Sequence, residues 1–383
     1  MSRIALTLAA GALLFSQAAQ AEIKIGAVLS LTGPAASLGI PEKNAIELFP
    51  TKIGNETVRY IVLDDASDPT TAVKSARKLV DEEKVDVIIG PSVTPNSLAL
   101  LEVIGPAQTT MISLAGSSII AAPVEGNKRW SFKLAPAEPT QGAYMFRNMQ
   151  KHGGKTVGFI GFNDAFGDSF IGALKKVAEE YKFKVVGDER YNRNDTSVTA
   201  QALKMLSANP DAVIIGASGT PGVTPILELK KVGYKGQIYI NQGMANADVL
   251  RVGGAQLNGV FMPVSPALVA EQLPDSNVTK PEGLKYLKAY EGKFGAGSRN
   301  LFGATAWDAY LLIEKSAVDA LAKTKPGTVE FRTALRDGIE SGKEIVGSQG
   351  VFKITPTDHN GTDMRAQVLV QIDQGKWKYV PLD

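Results

Sequence analysis

The 383-residue chain carries 41 Lys+Arg against 39 Asp+Glu, a formal net charge of +2, and 44% hydrophobic residues. That apolar fraction excludes wholesale disorder, and the near-zero charge gives no electrostatic pull toward nucleic acid. The absence of cysteine removes disulfides, thiolate metal sites and cysteine nucleophiles, and two histidines make a multi-histidine metal centre a poor expectation.

The N-terminus has the layout of a cleaved export signal. Arg3 supplies the charge, Ile4 to Phe15 the short apolar core, and Ala19-Gln20-Ala21 the small-x-small cleavage pattern. The competing reading is an uncleaved anchor, but the apolar run is shorter than the roughly 20 residues a bilayer requires. Residues 1–21 are therefore expected to be removed, the mature chain to start at Glu22, and the product to be exported, to the periplasm in a two-membrane bacterium.

The mature chain alternates strand and helix patterns. Ile23–Leu29, Tyr60–Leu63, Val85–Ile89 and Met111–Ser113 are strand candidates, separated by helical periodicity that is clearest from Pro69 to Glu83. Asp68 before Pro69 has the form of an N-cap followed by proline at the first helical position. The alternation restarts with Thr156–Phe162 and continues through Lys184–Val186, Ala212–Ile215, Gln237–Ile240 and Gly259–Met262. Helical stretches follow at Pro281–Phe294, Phe302–Ala322 and Val329–Ile339, then short strands at Gly350–Lys353, Ala366–Ile372 and Trp377–Val380. The pattern predicts an α/β fold of two similar lobes, each a parallel sheet with helices on both faces. Crossings between lobes are expected near Leu134–Ala137, Pro263–Ser265 and Ser348–Val351. They divide the chain into one lobe of 22–135 plus 264–348 and another of 136–263 plus 349–383.

Enzyme motifs are missing. The sequence contains no phosphate-binding G-x-x-x-x-G-K-[ST], no H-E-x-x-H and no G-x-S-x-G; Gly216-Ala-Ser218-Gly-Thr approaches the last without its second glycine in place. The first strand runs into Ser30-Leu-Thr-Gly33-Pro34 rather than a dinucleotide fingerprint, so no cofactor is expected. Asp64-Asp65 with Asp68 is best read as a strand end and a helix cap, His152 as a helix-end residue and His359 as part of a turn. No catalytic residue and no metal ligand is assigned.

Two loops have the chemistry of a binding surface. Gly90-Pro-Ser-Val-Thr94-Pro95-Asn96-Ser97 leaves a strand and enters an apolar helix, with Thr94 as the expected N-cap and the amides of Asn96 and Ser97 expected free. Ser113-Leu-Ala115-Gly116-Ser117-Ser118 follows the next strand with small and hydroxylated residues. Unpaired amides at strand C-terminal ends suit a carboxylate, although ordinary capping with water on the amides explains the same pattern.

In order and spacing, Ile25-Gly-Ala-Val-Leu-Ser-Leu-Thr-Gly-Pro34, Asp64-Asp-Ala-Ser-Asp-Pro69, Val87-Ile-Ile-Gly-Pro91, Ile112-Ser-Leu-Ala-Gly-Ser-Ser118, Asn163-Asp-Ala-Phe-Gly167 and Gly347-Ser-Gln-Gly-Val-Phe352 together resemble the periplasmic solute-binding proteins of the branched-chain amino acid (leucine/isoleucine/valine-binding) ABC transporter family. The resemblance spans essentially the whole mature chain. It implies a type I periplasmic binding protein fold, two Rossmann-like lobes joined by three hinge crossovers, with a ligand held in the cleft. It further implies an inner-membrane ABC permease with its ATPase subunits as partner, and a protein that is not an enzyme and acts as a monomer.

Carried over by position, the resemblance puts Thr94, Ala115 and Ser117 at the ligand carboxylate. It also exposes departures. Gln242 stands where amino-acid binders place an acidic partner for the ammonium, Phe166 where a tyrosine is usual, and Leu38 in place of another aromatic hydroxyl. A different alignment would let Asp248 or Glu271 supply the acid. A desolvated ammonium without its charged partner costs several kcal/mol, so the expected ligand is a small aromatic or hydrophobic carboxylate. A branched-chain or other amino acid or amide is the alternative within the family. A ligand sensor for a membrane receptor and an exported α/β hydrolase are the alternatives in other functional classes.

Overall fold

The computed structural model describes residues 22–382; the expected export signal at residues 1–21 lies outside them. In chain order the first set of elements is β1 (Glu22–Leu29), α1 (Ala36–Ile46), β2 (Lys52–Ile53), β3 (Glu56–Asp64), α2 (Pro69–Arg77), β4 (Val87–Ile89), α3 (Thr94–Ile104), β5 (Thr110–Ser113) and β6 (Ser131–Lys133). The second set is α4 (Glu138–Lys151), β7 (Thr156–Phe162), α5 (Ala165–Glu180), β8 (Lys184–Tyr191), α6 (Thr199–Ala208), β9 (Ala212–Gly216), α7 (Val223–Lys231), β10 (Gln237–Ile240), α8 (Ala247–Gly253) and β11 (Phe261–Val264). The chain ends with α9 (Lys280–Phe294), α10 (Leu301–Leu321), α11 (Val329–Ile339), β12 (Ile345–Val346), β13 (Val351–Phe352), β14 (Val368–Asp373) and β15 (Lys376–Val380).

One sheet has the order β2-β3-β1-β4-β5-β6 and the other β15-β14-β11-β10-β9-β7-β8. Within these two sheets all pairs are parallel except β2 with β3, β11 with β14 and β14 with β15; β12 and β13 form a separate antiparallel pair. Stripped of their antiparallel edges, both sheets share one topology: the second strand lies outside the first, and the third, fourth and fifth follow on the other side. That order creates a crevice at the carboxyl ends of the strands, where the winding direction reverses.

The sheets are buried on both faces, which explains their nearly unbroken apolar runs. Along β1 the side chains alternate. Ile23, Ile25, Ala27 and Leu29 join a core with α1, α9, α10 and α11, whereas Val28 faces a separate cluster with Ala72, Ala76, Leu100 and Ile104 of α2 and α3. Asp68 caps α2, accepting from the Thr71 amide at 2.7 Å ahead of Pro69. At the other end of the chain Asp373–Lys376 turns β14 into β15 as the sequence pattern predicts.

The third crossing departs from expectation. Phe352 and Ile354 pack in the core of the first sheet, so the chain has not left that lobe at Ser348–Val351. It stays alongside β6: the Lys133 amide donates to the His359 carbonyl at 3.1 Å, and Asn360 Nδ2 donates to the carbonyls of Lys133 and Ala135 at 2.8 and 3.0 Å. His359, expected in a turn, is a buried strut. Its ring stacks on Phe132 at 4.1 Å, Nδ1 lies 2.9 Å from the Ser131 carbonyl and Nε2 3.1 Å from Glu340, and burial lowers its proton affinity.

Candidate functional site

The two sheets meet at their strand C-terminal ends around a cavity of about 40 Å³, room for a few waters. Its walls come from the loops that follow β4, β5, β6, β7, β8, β9 and β10, together with Leu38 of α1 and Leu301, Phe302 and Thr305 of α10. Both lobes therefore contribute, each through the crevice its topology creates.

From the first lobe come Ser92, Val93, Thr94, Leu114, Ala115 and Gly116. Thr94 is not the N-cap of α3: Val93 takes that place with extended backbone, and Thr94 and Pro95 occupy the first two helical positions. The consequence is useful. Thr94 Oγ1 is buried and has no hydrogen-bond partner, and the amides of Thr94 and Asn96 lead the helix. The Ser97 amide, expected free, instead donates to the Val93 carbonyl at 3.0 Å. The Ser97 and Ser113 hydroxyls, 2.8 Å apart, tie α3 to β5. Ala115 lines the cavity; Ser117 does not. The Ser117 side chain is fully buried in the loop behind it, with an unpartnered Oγ.

Phe166 reaches the cavity because Asp164 caps α5, accepting from the amides of Phe166 and Gly167 at 3.0 and 3.1 Å. Its ring stacks on Phe170 at 5.8 Å and lies across the lobe boundary from Gly116, where a Cβ would come within 3.0 Å of the ring. Gln242 is buried, and its Oε1 accepts from Gln367 Nε2 at 3.0 Å. With the oxygen engaged, the side chain offers the cavity an N–H donor. Leu38 closes the opposite wall in a cluster with Ala35, Val93 and Phe302.

Arg193 belongs to no motif in the sequence. It follows β8 in a polar loop, where an arginine is ordinarily solvated. Here Nε donates to Asp164 Oδ2 at 2.7 Å, Nη1 to Ser218 Oγ at 2.9 Å, and the guanidinium lies 4.1 Å over Phe162. Its place after a parallel strand, level with the other lining loops, was the available signal. Among the described residues Arg193 is the one charged side chain lining the cavity, and no Asp or Glu lines it. The alternative acids do not replace Gln242: Asp248 pairs with Arg251, Glu271 pairs with Arg299, and neither lines the cavity.

Near the first crossing, Lys133 is fully buried and donates Nζ to the carbonyls of Ala135 and Pro136; burial pushes it down to about 8. Burial opposes ionisation of Glu138, but Lys133 and its hydrogen bonds hold it below the usual carboxylate value. Glu138 accepts from the Ser118 amide at 2.9 Å and from Ser169 Oγ at 2.7 Å, so one carboxylate at the start of α4 holds a first-lobe loop and α5 together. The region is structural and adds no reactive group to the cavity.

A family model described as periplasmic binding protein matches residues 22–376. A Leu/Ile/Val-binding protein homologue of Brucella melitensis is 22% identical over 352 residues, 90% of each chain. An extracellular ligand-binding receptor of Rhodopseudomonas palustris superposes with a TM-score of 0.90 at 42% identity, covering 94% of this chain and 99% of its own. A solute-binding protein of an ABC transporter from R. palustris, solved in complex with benzoate, superposes with a TM-score of 0.80 at 22% identity, over 94% and 95% of the two chains.

Proposed function

The chain belongs to the periplasmic binding protein family, and we propose that it is the substrate-binding component of an ABC uptake transporter, capturing a small aromatic or hydrophobic carboxylate between its lobes. Among the described residues no helix is long and apolar enough to cross a membrane. Release into the periplasm and delivery to an inner-membrane permease with its ATPase subunits are parts of the proposal.

One observation carries the choice of ligand: among the described residues the cavity is walled by Leu38, Val93, Leu114, Ala115, Phe166, Leu301 and Phe302, with the Asp164-paired guanidinium of Arg193 and no carboxylate in the lining. An α-ammonium buried there would have no counter-charge, whereas a carboxylate would meet Arg193, Thr94 Oγ1 and the leading amides of α3. Phe166 offers a face for an aromatic ring, and Gln242 an N–H for an accepting substituent. The benzoate bound to the R. palustris solute-binding protein supports the class of ligand. The Brucella relative's name supports the alternative, a branched-chain amino acid.

In the proposed cycle no bond is made or broken. One lobe takes the ligand, the other closes over it, and the ligand stabilises the closed form by its extra affinity for that form. A thermal-shift panel of benzoate, 3-phenylpropenoate, leucine, isoleucine and valine tests this, because a ligand of the native state raises the melting temperature by mass action. Stabilisation by the acids and none by the amino acids is expected; the reverse result rejects the carboxylate reading.

A further inference from the structure

Behind the cavity wall lies a group that ligand capture as described above does not use. Glu42, on α1, is completely buried, and one of its oxygens is hydrogen-bonded to Ser92 Oγ while the other, Oε1, has no partner. Ser92 lines the cavity. The titratable groups acting around Glu42 are Asp65, in the loop just after β3, and Tyr290 of α9; no basic side chain is among them. Asp65 is itself buried, with Oδ1 accepting from Ser30 Oγ at 2.7 Å and the Ser67 amide at 2.8 Å.

Proton counting at Ser92 then decides what the cavity sees. A serine hydroxyl has one proton to give and two lone pairs to fill. One lone pair accepts from the Ser30 amide at 3.0 Å. If Glu42 is ionised, the hydroxyl proton must go to Glu42, and a ligand carboxylate arriving at Ser92 meets an oxygen with nothing to donate. If Glu42 is neutral, its own O–H fills the second lone pair and the Ser92 hydroxyl is free to donate into the cavity. Only the second arrangement accommodates an anion there without two acceptors competing for one proton.

We propose that Glu42 is a positioning residue that holds a proton in the liganded protein and, by donating it in a hydrogen bond to Ser92, turns the Ser92 hydroxyl toward the carboxylate. The inference rests on the carboxylate reading of the cleft. Burial, which pushes the Glu42 carboxyl well above its ordinary value, and the neighbouring Asp65 act in the same direction. A bound anion strengthens the proton's hold further, so binding takes up a proton from solvent wherever Glu42 is ionised in the free protein. Affinity is then complete below the free protein's titration point and falls by up to about tenfold per pH unit as pH rises through it.

The test pairs infrared spectroscopy with calorimetry on the full mature chain, using benzoate as the probe. The expected result is a neutral-carboxyl stretching band in the benzoate complex that vanishes in Glu42→Gln. The glutamine variant, whose amide donates to Ser92 permanently, should match the parent's affinity at low pH and show no decline at high pH. Ser92→Ala, which leaves Glu42 in place, should lose about tenfold in benzoate affinity. A complex without a Glu42-dependent neutral-carboxyl band, or a Glu42→Gln protein whose affinity declines with pH as steeply as the parent's, overturns the proposal. Failure of benzoate to bind counts against the ligand reading instead. In that case a pH titration of the ligand-free protein decides the Glu42 assignment: a Glu42-dependent neutral-carboxyl band that persists above the ordinary glutamic-acid range is expected, and its loss within that range overturns the assignment.

Discussion

Arg193 shows how a cavity residue can be hidden in a sequence and evident in a fold. Its neighbours Asn192, Asn194 and Asp195 give the loop a solvated composition, and no periodic pattern marks it. Only pairing with Asp164 and Ser218, and contact with Phe162, turn it inward. Replacing Arg193 by Met removes a charge-assisted donor while keeping the length of the stem, so benzoate affinity should fall roughly tenfold to hundredfold by calorimetry. Gln242→Glu makes the opposite change, placing an acceptor where an N–H now faces the cavity. It should weaken benzoate binding more than Gln242→Ala does, since repulsion adds to the lost hydrogen bond; equal losses would show that Gln242 does not face the ligand's acceptor atoms. Leu38, Thr94, Ala115, Phe166 and Gln242 were all legible in the sequence and come together at one cavity. The misjudged details were local. Thr94 reads as a cap because threonine commonly caps, yet extended backbone at Val93 moves the helix start by one residue.

Among the elements, legibility followed length and composition. The long apolar strands and α2, α10 and α11 announce themselves, whereas β6 is three residues long and contains a lysine, and α1 carries Gly39 and Pro41 in its interior. Those two elements matter to the cavity, because Leu38 sits on α1 and the first crossing leaves from β6. The loop Gly216–Thr220, which approaches a nucleophile motif in the sequence, serves in the fold as a lip. Gly219 has φ +65°, and a Cβ there would stand 2.6 Å from Leu38 Cδ1 and from Ser37 Oγ on the other lobe. Gly219→Ala should therefore obstruct closure and weaken benzoate binding. Gly153→Ala is the matched control, with φ +77° and open space around it. With ψ −163° as well, Gly219 sits in a region essentially reserved to glycine, so its replacement should cost on the order of 1–3 kcal/mol of folding stability and Gly153→Ala about 1 kcal/mol for positive φ; only the change at Gly219 should also lower affinity and enlarge the benzoate-saturated protein in small-angle scattering.

For the molecule as a whole, the two-lobed parallel architecture follows from the repeated alternation of strand and helix patterns, and the place of the third crossing does not. Nothing in Gly347–Ile354 distinguishes a hinge from a segment still packed on the first lobe. The decision is made at a distance, by Asp308 of α10, which accepts from the amides of Ser348 and Gln349 at 2.7 and 2.9 Å, and by the seat of Phe352 in the first core. Burial pushes Asp308 up to about 7 despite those two donors. A carboxyl raised in the folded state contributes stability that is complete below its unfolded value near pH 4 and is lost as pH rises to about 7. Stability curves from pH 4 to 8 should therefore decline more for the parent than for Asp308→Asn, although the variant starts lower through loss of one acceptor. Parallel curves would remove Asp308 as a source of the decline.

Because Phe352 and Ile354 belong to the first core and Trp377 to the second, neither half is complete until these late segments are in place. The strands of the first sheet all come early, from β1 to β6, but side chains that seal its core come late, and the second sheet still awaits β14 and β15. A polypeptide built this way completes its two halves almost together.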